Sequence, residues 1–303
     1  MNRISCNRIE LAVEVVPVKY AVVGGDRRSA ILCSMLAQDG HRVYCFALER
    51  AEMPPDVIKT GCLQGCVYGA DCVVLPTPAE KGGILNAPLS GNVLRMSEVI
   101  GALWPGQILA GGKLGDESCA LAMKTGLHIG DIMQRPDFVA GNAALTAECV
   151  LARLIDGSDR AIFGSEALIC GWGRIGKILA LRLAALGARV TVAARSRSGR
   201  AMAEALGLRA LDYDGLETEI GGFDFIVNTV PARVLTDAML CMVSDTALLL
   251  ELASPPGGFD RNLAENIGLN AMAAPGLPGE RAAYSAAALM KRAVYDVVRE
   301  QEE

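Results

Sequence analysis

The sequence predicts an α/β protein of two domains, each built on a doubly wound parallel sheet. Three observations carry this prediction. Short apolar runs alternate with helical segments along the 303 residues, 51% of the residues are hydrophobic, and a second strand, glycine turn and helix series starts after residue 157. Because single cores rarely grow past about 250 residues, two domains suit this length. Parallel strands covered on both faces are apolar throughout, which matches the composition.

The first domain is predicted over residues 1–157. Its strands are expected at residues 20–23, 41–46, 72–75, 107–110 and 127–129. Gly24, Gly25 and Asp26 follow the first strand and precede a helix that runs to about Gln38, which is how a βα unit begins. A long helix over residues 138–155 closes this domain, since Gly157 is a common type of helix stop.

The second domain is predicted over residues 158–280. Its strands are expected at residues 167–170, 189–193, 225–228, 246–251 and 270–273. An apolar helix over residues 283–299 ends the chain. By analogy with two-domain dehydrogenases, the C-terminal segment 281–303 is expected to pack back on the first domain, with a cleft between the domains.

A glycine motif lies at the start of the second domain. Gly171, Gly173 and Gly176 form GxGxxG directly after an apolar strand and directly before a helix, with Arg174 and Ile175 inside the motif. In a Rossmann domain these glycines permit a tight turn, close approach of a diphosphate, and helix packing against the strand. The motif therefore predicts a Rossmann-type site for a nicotinamide dinucleotide, with a merely structural turn as the alternative.

The end of the next strand bears on the choice of coenzyme. NAD-binding domains have an Asp or Glu here that binds the ribose 2′-hydroxyl. In this chain the strand is followed by Ala194, Arg195, Ser196 and Arg197. Arginine and serine side chains can hold a 2′-phosphate, so the residues favour NADP over NAD, although NAD stays possible. The alternative is that these arginines belong to a solvated loop.

Later strand ends are expected to border the nicotinamide half, because ligands of open α/β sheets lie outside the carboxyl ends of the strands. The residues are Thr229, Val230 and Pro231 after one strand, and Ala253 and Ser254 after the next. Each group is equally able to form a plain turn. Pro275 and Gly276, in a glycine-rich stretch, are predicted to form a hinge or to line the substrate cleft.

Charge and composition exclude several classes of protein. The formal net charge of −5 argues against nucleic acid as a partner. The apolar runs are too short for a membrane span, and Glu10 and Glu14 interrupt the apolar N-terminus expected of a secretion signal. The ten cysteines include no CxxC pair, so no metal site is expected. These features favour a soluble cytoplasmic protein.

Several segments together resemble the family of dipicolinate synthase A subunits. They are VVGGDRR (22–28), GADCVVLPTPA (69–79), GWGRIGKILALRLAALGARVTVAARS (171–196), FIVNTVPARVL (225–235), LELASPPGGFD (250–260) and AAPGLPG (273–279). The resemblance implies NADP-linked oxidation of dihydrodipicolinate, formed from 4-hydroxytetrahydrodipicolinate, to dipicolinate during sporulation. It also implies a small dicarboxylate substrate and, as partner, a flavoprotein-like B subunit of the synthase, and we expect a homo-oligomer.

Substrate and catalytic residues are predicted from the first domain and the joining helix. The amides at Gly25 and Asp26 and the side chain of Arg27 are expected to hold a carboxylate, with a solvated Arg27 as the alternative. The Thr77 hydroxyl follows the strand that ends at Leu75, where a substrate contact is expected.

Three further catalytic candidates rest on the resemblance: Asn142, Thr146 and Glu148. Thr146 is expected to supply a hydroxyl to the cleft, and Glu148 either a base or a structural helix charge. The sequence departs from the family where Leu145 replaces a proline and where Ala283 and Tyr284 replace a proline and lysine pair.

Two other functions stay open. One is an NAD(P)-dependent dehydrogenase of another small carboxylate, and the other is a non-catalytic regulatory protein that binds a dinucleotide. His41 and His128 are the only histidines. A dehydrogenase that relies on a histidine acid-base is therefore the weaker enzymatic interpretation.

Overall fold

The computed structural model describes residues 17–301. The expectations for Glu10, Glu14 and the rest of the first sixteen residues lie outside this part. The fold divides into two compact units. Of the described residues, unit 1 contains 17–134 and 290–301, and unit 2 is Arg135–Leu289.

Unit 1 contains a six-stranded parallel sheet and a small antiparallel hairpin. Its strands are β1 (Lys19–Val23), β2 (Arg42–Phe46), β3 (Val57–Lys59), β4 (Cys72–Val74), β5 (Glu80–Lys81), β6 (Ile84–Leu85), β7 (Ile108–Gly111) and β8 (His128–Asp131). Its helices are α1 (Arg27–Gln38), α2 (Leu63–Val67), α3 (Met96–Gly101) and α4 (Asp116–Lys124). The sheet order is β3-β2-β1-β4-β7-β8, with β5 and β6 paired as the hairpin.

Unit 2 contains a second six-stranded parallel sheet. Its strands are β9 (Glu166–Cys170), β10 (Arg189–Ala193), β11 (Arg209–Leu211), β12 (Phe225–Asn228), β13 (Leu248–Glu251) and β14 (Asn270–Ala273). Its helices are α5 (Pro136–Asp156), α6 (Arg174–Ala185), α7 (Arg197–Ala205), α8 (Tyr213–Leu216), α9 (Asp237–Met242), α10 (Arg261–Asn266) and α11 (Leu277–Arg281), and α12 (Ala283–Arg299) begins in this unit. The sheet order is β11-β10-β9-β12-β13-β14.

Both sheets share the strand order 3-2-1-4-5-6 of a doubly wound dinucleotide-binding fold. The central strands are buried on both faces: β1 and β9 each have four buried residues followed by a glycine turn. This arrangement confirms the predicted fold class of two Rossmann-like parallel-sheet domains. In such a sheet the chain reverses direction on either side of the first strand, so a crevice opens at the carboxyl ends of the first and fourth strands.

The long helix α5 packs within unit 2. Val150 and Leu154 are fully buried in a cluster with Leu179 and Leu183 of α6. The predicted boundary at residues 157 and 158 therefore falls one helix later than the division in the structure, which lies between Gln134 and Arg135. Helix periodicity predicts that α5 buries one face, but it does not tell which sheet receives that face.

The last part of α12 belongs to unit 1. Lys291 Nζ and Tyr295 Oη both donate to Asp39 Oδ2, at 2.6 and 2.5 Å. Gly130 in β8 lies so close to Val297 that a Cβ at residue 130 would overlap that side chain. These contacts attach residues 290–299 to the sheet of unit 1.

Among the described residues, α5 is the one helix whose length and composition would suffice to cross a membrane. The core helices of soluble proteins pass the same test, and α5 buries Val150 and Leu154 in the core of unit 2.

Candidate functional site

The glycine motif of unit 2 lies at the carboxyl end of the first strand of its sheet. Gly171 has a φ of 109°, and a Cβ there would overlap Thr229. A Cβ at Gly176 would overlap the carbonyl oxygen of Gly171. Gly173 differs from both, because a Cβ there meets nothing within 4 Å. The three glycines thus provide the turn, the open approach and the close helix packing that a diphosphate site requires.

The start of α6 supplies donors for an anion. Gly173 is the N-cap residue of this 12-residue helix and makes no side-chain cap hydrogen bond. The first amides of α6, from Arg174 and Ile175, therefore receive no cap from that position, and helix N-termini attract negative charge. Arg174 is exposed beside them. The open glycine and the uncapped helix start together fit the diphosphate of a dinucleotide.

The predicted 2′-phosphate residues lie after β10. Arg195, Ser196 and Arg197 are exposed, whereas Ala194 is buried. The Ser196 hydroxyl accepts from Gly199 N at 3.1 Å and so caps α7. Arg200 Nη1, which the sequence pattern does not single out, donates to the carbonyl oxygens of Ala194 and Arg195 at 2.8 and 3.0 Å. Arg200 thereby fixes the turn that presents the Arg195 and Arg197 side chains to solvent.

The loop after β12 closes over the first glycine of the motif. Thr229 Oγ1 donates to the carbonyl oxygen of Cys170 at 2.9 Å. Val230 contacts the same glycine, whereas Pro231 is exposed in the loop over residues 229–236. Of these predicted cofactor residues, Thr229 and Val230 thus lie beside Gly171, at the crevice of the sheet.

A polar pair, the buried Asn228 and the half-buried Glu251, joins the ends of β12 and β13. Asn228 is fully buried and donates from Nδ2 to Glu251 Oε1 at 2.7 Å and to the Val230 carbonyl at 2.9 Å. Glu251 also accepts from the amides of Ala253 and Gly258, at 2.8 and 2.7 Å. The pair therefore sets the shape of both loops that carry predicted cofactor residues.

Sequence reasoning missed this pair. Its signal was a polar residue at the end of each apolar run, FIVN and LLLE. The predicted Ala253 is held directly by the pair, whereas Ser254 is exposed, and its carbonyl accepts from Gly257 N at 3.1 Å in a turn.

The ends of β13 and β14 border a cavity of about 500 Å³ in unit 2. Pro275 lines it together with Ala253 and Arg233. Gly276 has a φ of 69° and is the N-cap of α11. The Arg233 guanidinium pairs with Asp237, which reduces the positive charge it offers to this cavity.

The three candidates on α5 do not share one face of the helix. Thr146 Oγ1 donates to the Asn142 carbonyl at 2.7 Å, so these two residues lie one turn apart. Glu148 is exposed and forms an ion pair with Arg182 of α6 at 3.2 Å. Two roles were predicted for Glu148, a catalytic base and a structural charge on the helix. Its exposed ion pair favours the structural role. The catalytic roles of Asn142 and Thr146 stay predictions.

In unit 1 the glycine turn after β1 leads into α1. A Cβ at Gly25 would overlap Ser29, so the turn packs closely on the helix. Asp26 is the N-cap of α1 and accepts from Arg28 N at 2.9 Å. Arg27, the predicted carboxylate ligand, is exposed.

The buried cation at this turn is Arg28, which sequence reasoning missed. Its side chain is 9% exposed and pairs with Asp26 at 2.8 Å. Its Nη2 also donates to the Thr77 carbonyl at 2.6 Å. Sequence alone does not separate two adjacent arginines, because the distinction comes from which one folds back over the N-cap carboxylate.

Thr77 lies beyond the end of β4, next to β1 in the sheet. It is 6% exposed, and its Oγ1 has no hydrogen-bond partner within residues 17–301. Buried polar groups are nearly always hydrogen-bonded, so an unpaired hydroxyl at the crevice of a doubly wound sheet favours a ligand-binding role.

The thiol nearest the glycine motif is unreactive. Burial, with a smaller contribution from the charge of Glu251, raises the pKa of the Cys170 thiol to about 12. Cys170 is therefore protonated at neutral pH and packs as a small apolar side chain. Across the described part of the chain, no group of three or more His, Cys, Asp and Glu side chains is arranged to hold a metal ion.

Comparison with known proteins identifies both units. Residues 132–248 match the D-isomer specific 2-hydroxyacid dehydrogenase, NAD binding domain. Residues 19–133 match the N-terminal domain of the dipicolinate synthase A subunit. The A subunit of dipicolinate synthase from Bacillus subtilis (strain 168) is 29% identical over 267 residues, which are 86% of this chain and 89% of that protein. These matches confirm the resemblance to the family of dipicolinate synthase A subunits.

Two crystal structures of dipicolinate synthase A subunits share this fold. The protein from Bacillus halodurans has a TM-score of 0.80 at 25% identity, and the match covers 93% of this chain and 97% of that protein. The protein from Bacillus subtilis has a TM-score of 0.80 at 27% identity, and the match covers 95% of this chain and 98% of that protein. They share the strand order and the two units described above, and the dehydrogenase-type NAD-binding domain makes this protein an oxidoreductase that binds a nicotinamide dinucleotide.

Proposed function

We propose that this protein oxidises dihydrodipicolinate, formed from 4-hydroxytetrahydrodipicolinate, to dipicolinate with NADP. The observation that carries the proposal is the glycine turn of unit 2, where Gly173 leaves open space before an uncapped helix. The similarity to the A subunit of a dipicolinate synthase, which extends over 86% of the chain, also supports the proposal.

The preference for NADP rests on the residues after β10. That strand ends in Ala193 and is followed by Ala194, so no carboxylate is available to bind a ribose 2′-hydroxyl. The exposed side chains of Arg195, Ser196 and Arg197 supply positive charge and a hydroxyl instead. A 2′-phosphate would pair with the guanidinium groups by charge-assisted hydrogen bonds.

The reaction removes a hydride and a proton from the dihydropyridine ring. Bound NADP would supply the hydride acceptor. The chain supplies the diphosphate cradle at Gly173 and the fixed loops that Asn228 and Glu251 hold at the ends of β12 and β13. Asn142, Thr146 and the unpaired hydroxyl of Thr77 are the proposed polar contacts for the substrate.

Further parts of the proposal concern the setting of the reaction. The relatives are named as A subunits, which implies a second component of the synthase, and we propose a flavoprotein-like B subunit in that role. A homo-oligomer, a cytoplasmic location and a role in sporulation complete the proposal.

The test is NADPH formation from enzymatically prepared 4-hydroxytetrahydrodipicolinate, with and without the B subunit. Turnover to dipicolinate that requires NADP supports the proposal. Turnover on another small carboxylate alone would instead make the protein a dehydrogenase of that compound. Coenzyme binding with no turnover on any carboxylate, with both proteins present, would make it a regulatory component.

A further inference from the structure

The carboxyl edge of the unit 1 sheet contains a second polar group without a partner, on the strand next to Thr77. Lys113 follows β7, and its side chain is exposed. This side chain makes no ion pair or hydrogen bond to the residues that the structure describes. Lys113 also has a φ of 58°, in the left-handed region that residues with a side chain rarely adopt. Such strain persists where the surrounding structure enforces it, often at functional sites.

The backbone around Lys113 is fixed by two carboxylates. Asp131 Oδ1 accepts from Lys113 N at 3.0 Å and from Met133 N at 2.8 Å. Glu80 Oε1 accepts from Gly115 N at 2.8 Å. Both carboxylates are therefore engaged with amides, and neither forms an ion pair with the Lys113 ammonium.

Gly112 places Lys113 directly beside Thr77. A Cβ at residue 112 would lie 2.5 Å from Thr77 Oγ1, so the backbone of the β7 loop packs on the threonine side chain. Two backbone hydrogen bonds join the loops, from Gly112 N to the Pro76 carbonyl at 3.1 Å and from Ala79 N to the Gly112 carbonyl at 2.6 Å. The unpaired hydroxyl and the unpaired ammonium thus belong to neighbouring loops that are held together.

Arg28 holds the Thr77 loop from the other side. Its Nη2 donates to the Thr77 carbonyl, and its guanidinium is compensated by Asp26. The Arg28 pair is therefore nearly neutral overall, and Lys113 is a cation at this edge whose ammonium forms no ion pair with the described residues.

We propose that Lys113 and Thr77 bind one carboxylate group of the substrate, with Arg28 as the positioning residue for the Thr77 loop. The Thr77 hydroxyl reaches the carboxylate by turning to another staggered rotamer, since it gives up no hydrogen bond by doing so. The ammonium of Lys113 donates to the same carboxylate as a charge-assisted partner. This inference rests on the proposed function insofar as it takes a dicarboxylate as the substrate.

The test measures binding of dipicolinate to the full chain by calorimetry in metal-free buffer, with NADP present, for Lys113→Gly, Lys113→Arg and Thr77→Val. Glycine is compatible with the left-handed backbone, so Lys113→Gly removes the charge without adding strain. We expect dipicolinate affinity to fall about ten- to hundredfold in Lys113→Gly, as for the loss of a charged hydrogen bond. It should fall less in Thr77→Val and recover in Lys113→Arg. The matched control is Lys124→Ala, which removes an exposed lysine from the last turn of α4.

The NADP affinity of each variant is measured in parallel. Unchanged dipicolinate binding in both Lys113→Gly and Thr77→Val would overturn this inference and leave the proposed function standing. If the wild-type protein binds another carboxylate, such as 2-oxoglutarate, in place of dipicolinate, and Lys113→Gly weakens that binding, the carboxylate site holds and the proposed substrate is wrong. A wild-type protein that binds NADP but none of these carboxylates refutes both.

Discussion

At the scale of single residues, the glycines of unit 2 differ in what a side chain would meet. A Cβ at Gly176 would overlap backbone, whereas one at Gly173 enters open space. Gly176 is therefore needed for folding, and Gly173 allows a ligand to approach the backbone.

Gly173→Val should abolish dinucleotide binding and lower the unfolding free energy by only about 1 kcal/mol, the cost of a β-branched residue at a helix N-cap, because its side chain projects into space that only a ligand would use. Calorimetric titration with NADP and urea unfolding measure the two effects. Gly222→Val is the control, since a Cβ at residue 222 also meets nothing within 4 Å. Normal NADP binding by Gly173→Val would show that the diphosphate lies elsewhere.

Arg195→Ala should weaken NADP binding by about 1.5 to 3 kcal/mol, the range for a hydrogen bond to a charged group. NAD lacks the 2′-phosphate, so its binding should change little. The dissociation constants of both coenzymes test this, with Arg292→Ala as a control for the loss of one exposed positive charge. An equal loss for NADP and NAD would show that Arg195 does not contact the 2′-phosphate.

At the scale of elements, the strand-end loops of unit 2 depend on the hydrogen-bonded pair of Asn228 and Glu251 at the ends of β12 and β13. Asn228→Ala removes the donor to Glu251 and to the Val230 carbonyl and leaves a carboxylate oxygen with one partner fewer. We expect a loss of about 2 to 3 kcal/mol in unfolding free energy. Urea unfolding measures it, and the exposed Asn266→Ala in α10 serves as comparison. A change below about 0.5 kcal/mol would mean that the pair is dispensable.

The elements that sequence reasoning predicted are those with a strong apolar signal. Strands β10, β12 and β14 begin and end at the predicted residues. The missed strands of the two six-stranded sheets are β3 and β11, and the hairpin strands β5 and β6 were missed as well. β3 and β11 are only three residues long and each includes a charged residue, so they lack the apolar run by which the longer edge strand β14 was predicted.

The candidate sites show the same division between local and tertiary information. The GxGxxG motif can be recognised in the sequence because the residues that form the diphosphate site are contiguous. Arg28, Asn228 and Lys113 are not, since their significance depends on which side chain is buried or left unpaired after folding. The boundary before α5 was missed for a related reason, because the sequence shows an apolar face but not its partner.

At the scale of the whole molecule, stability should depend on pH through the attachment of α12 in unit 1. Burial lowers the pKa of His41, and the charge of Asp39 only partly offsets it. Burial alone would raise the pKa of Asp39, but hydrogen bonds from Lys291 and Tyr295 hold it below its ordinary value. His41 Nδ1 also accepts from Val18 N at 3.3 Å, a bond that the imidazolium form cannot make.

Both folded-state pKa values thus lie below those of the unfolded chain, so stability is lost as the pH falls. The His41 contribution is fully present above about pH 6.5 and declines below it, and the Asp39 contribution declines below about pH 4. Thermal unfolding between about pH 7 and pH 5 should show a falling Tm that flattens in His41→Gln. The exposed His128→Gln serves as the control. An unaltered slope in His41→Gln would exclude His41 as the source.

The two sheets repeat one strand order, yet the helices after their first strands begin differently. Where α6 begins with an uncapped glycine, α1 begins with the Asp26 carboxylate, already satisfied by the Arg28 amide and guanidinium. A diphosphate brought to the start of α1 would find the cap position occupied by the Asp26 carboxylate, which already accepts from the Arg28 amide. Of two units with the same strand order, only unit 2 is therefore expected to bind a coenzyme. Calorimetric titration should give a stoichiometry of one coenzyme per chain.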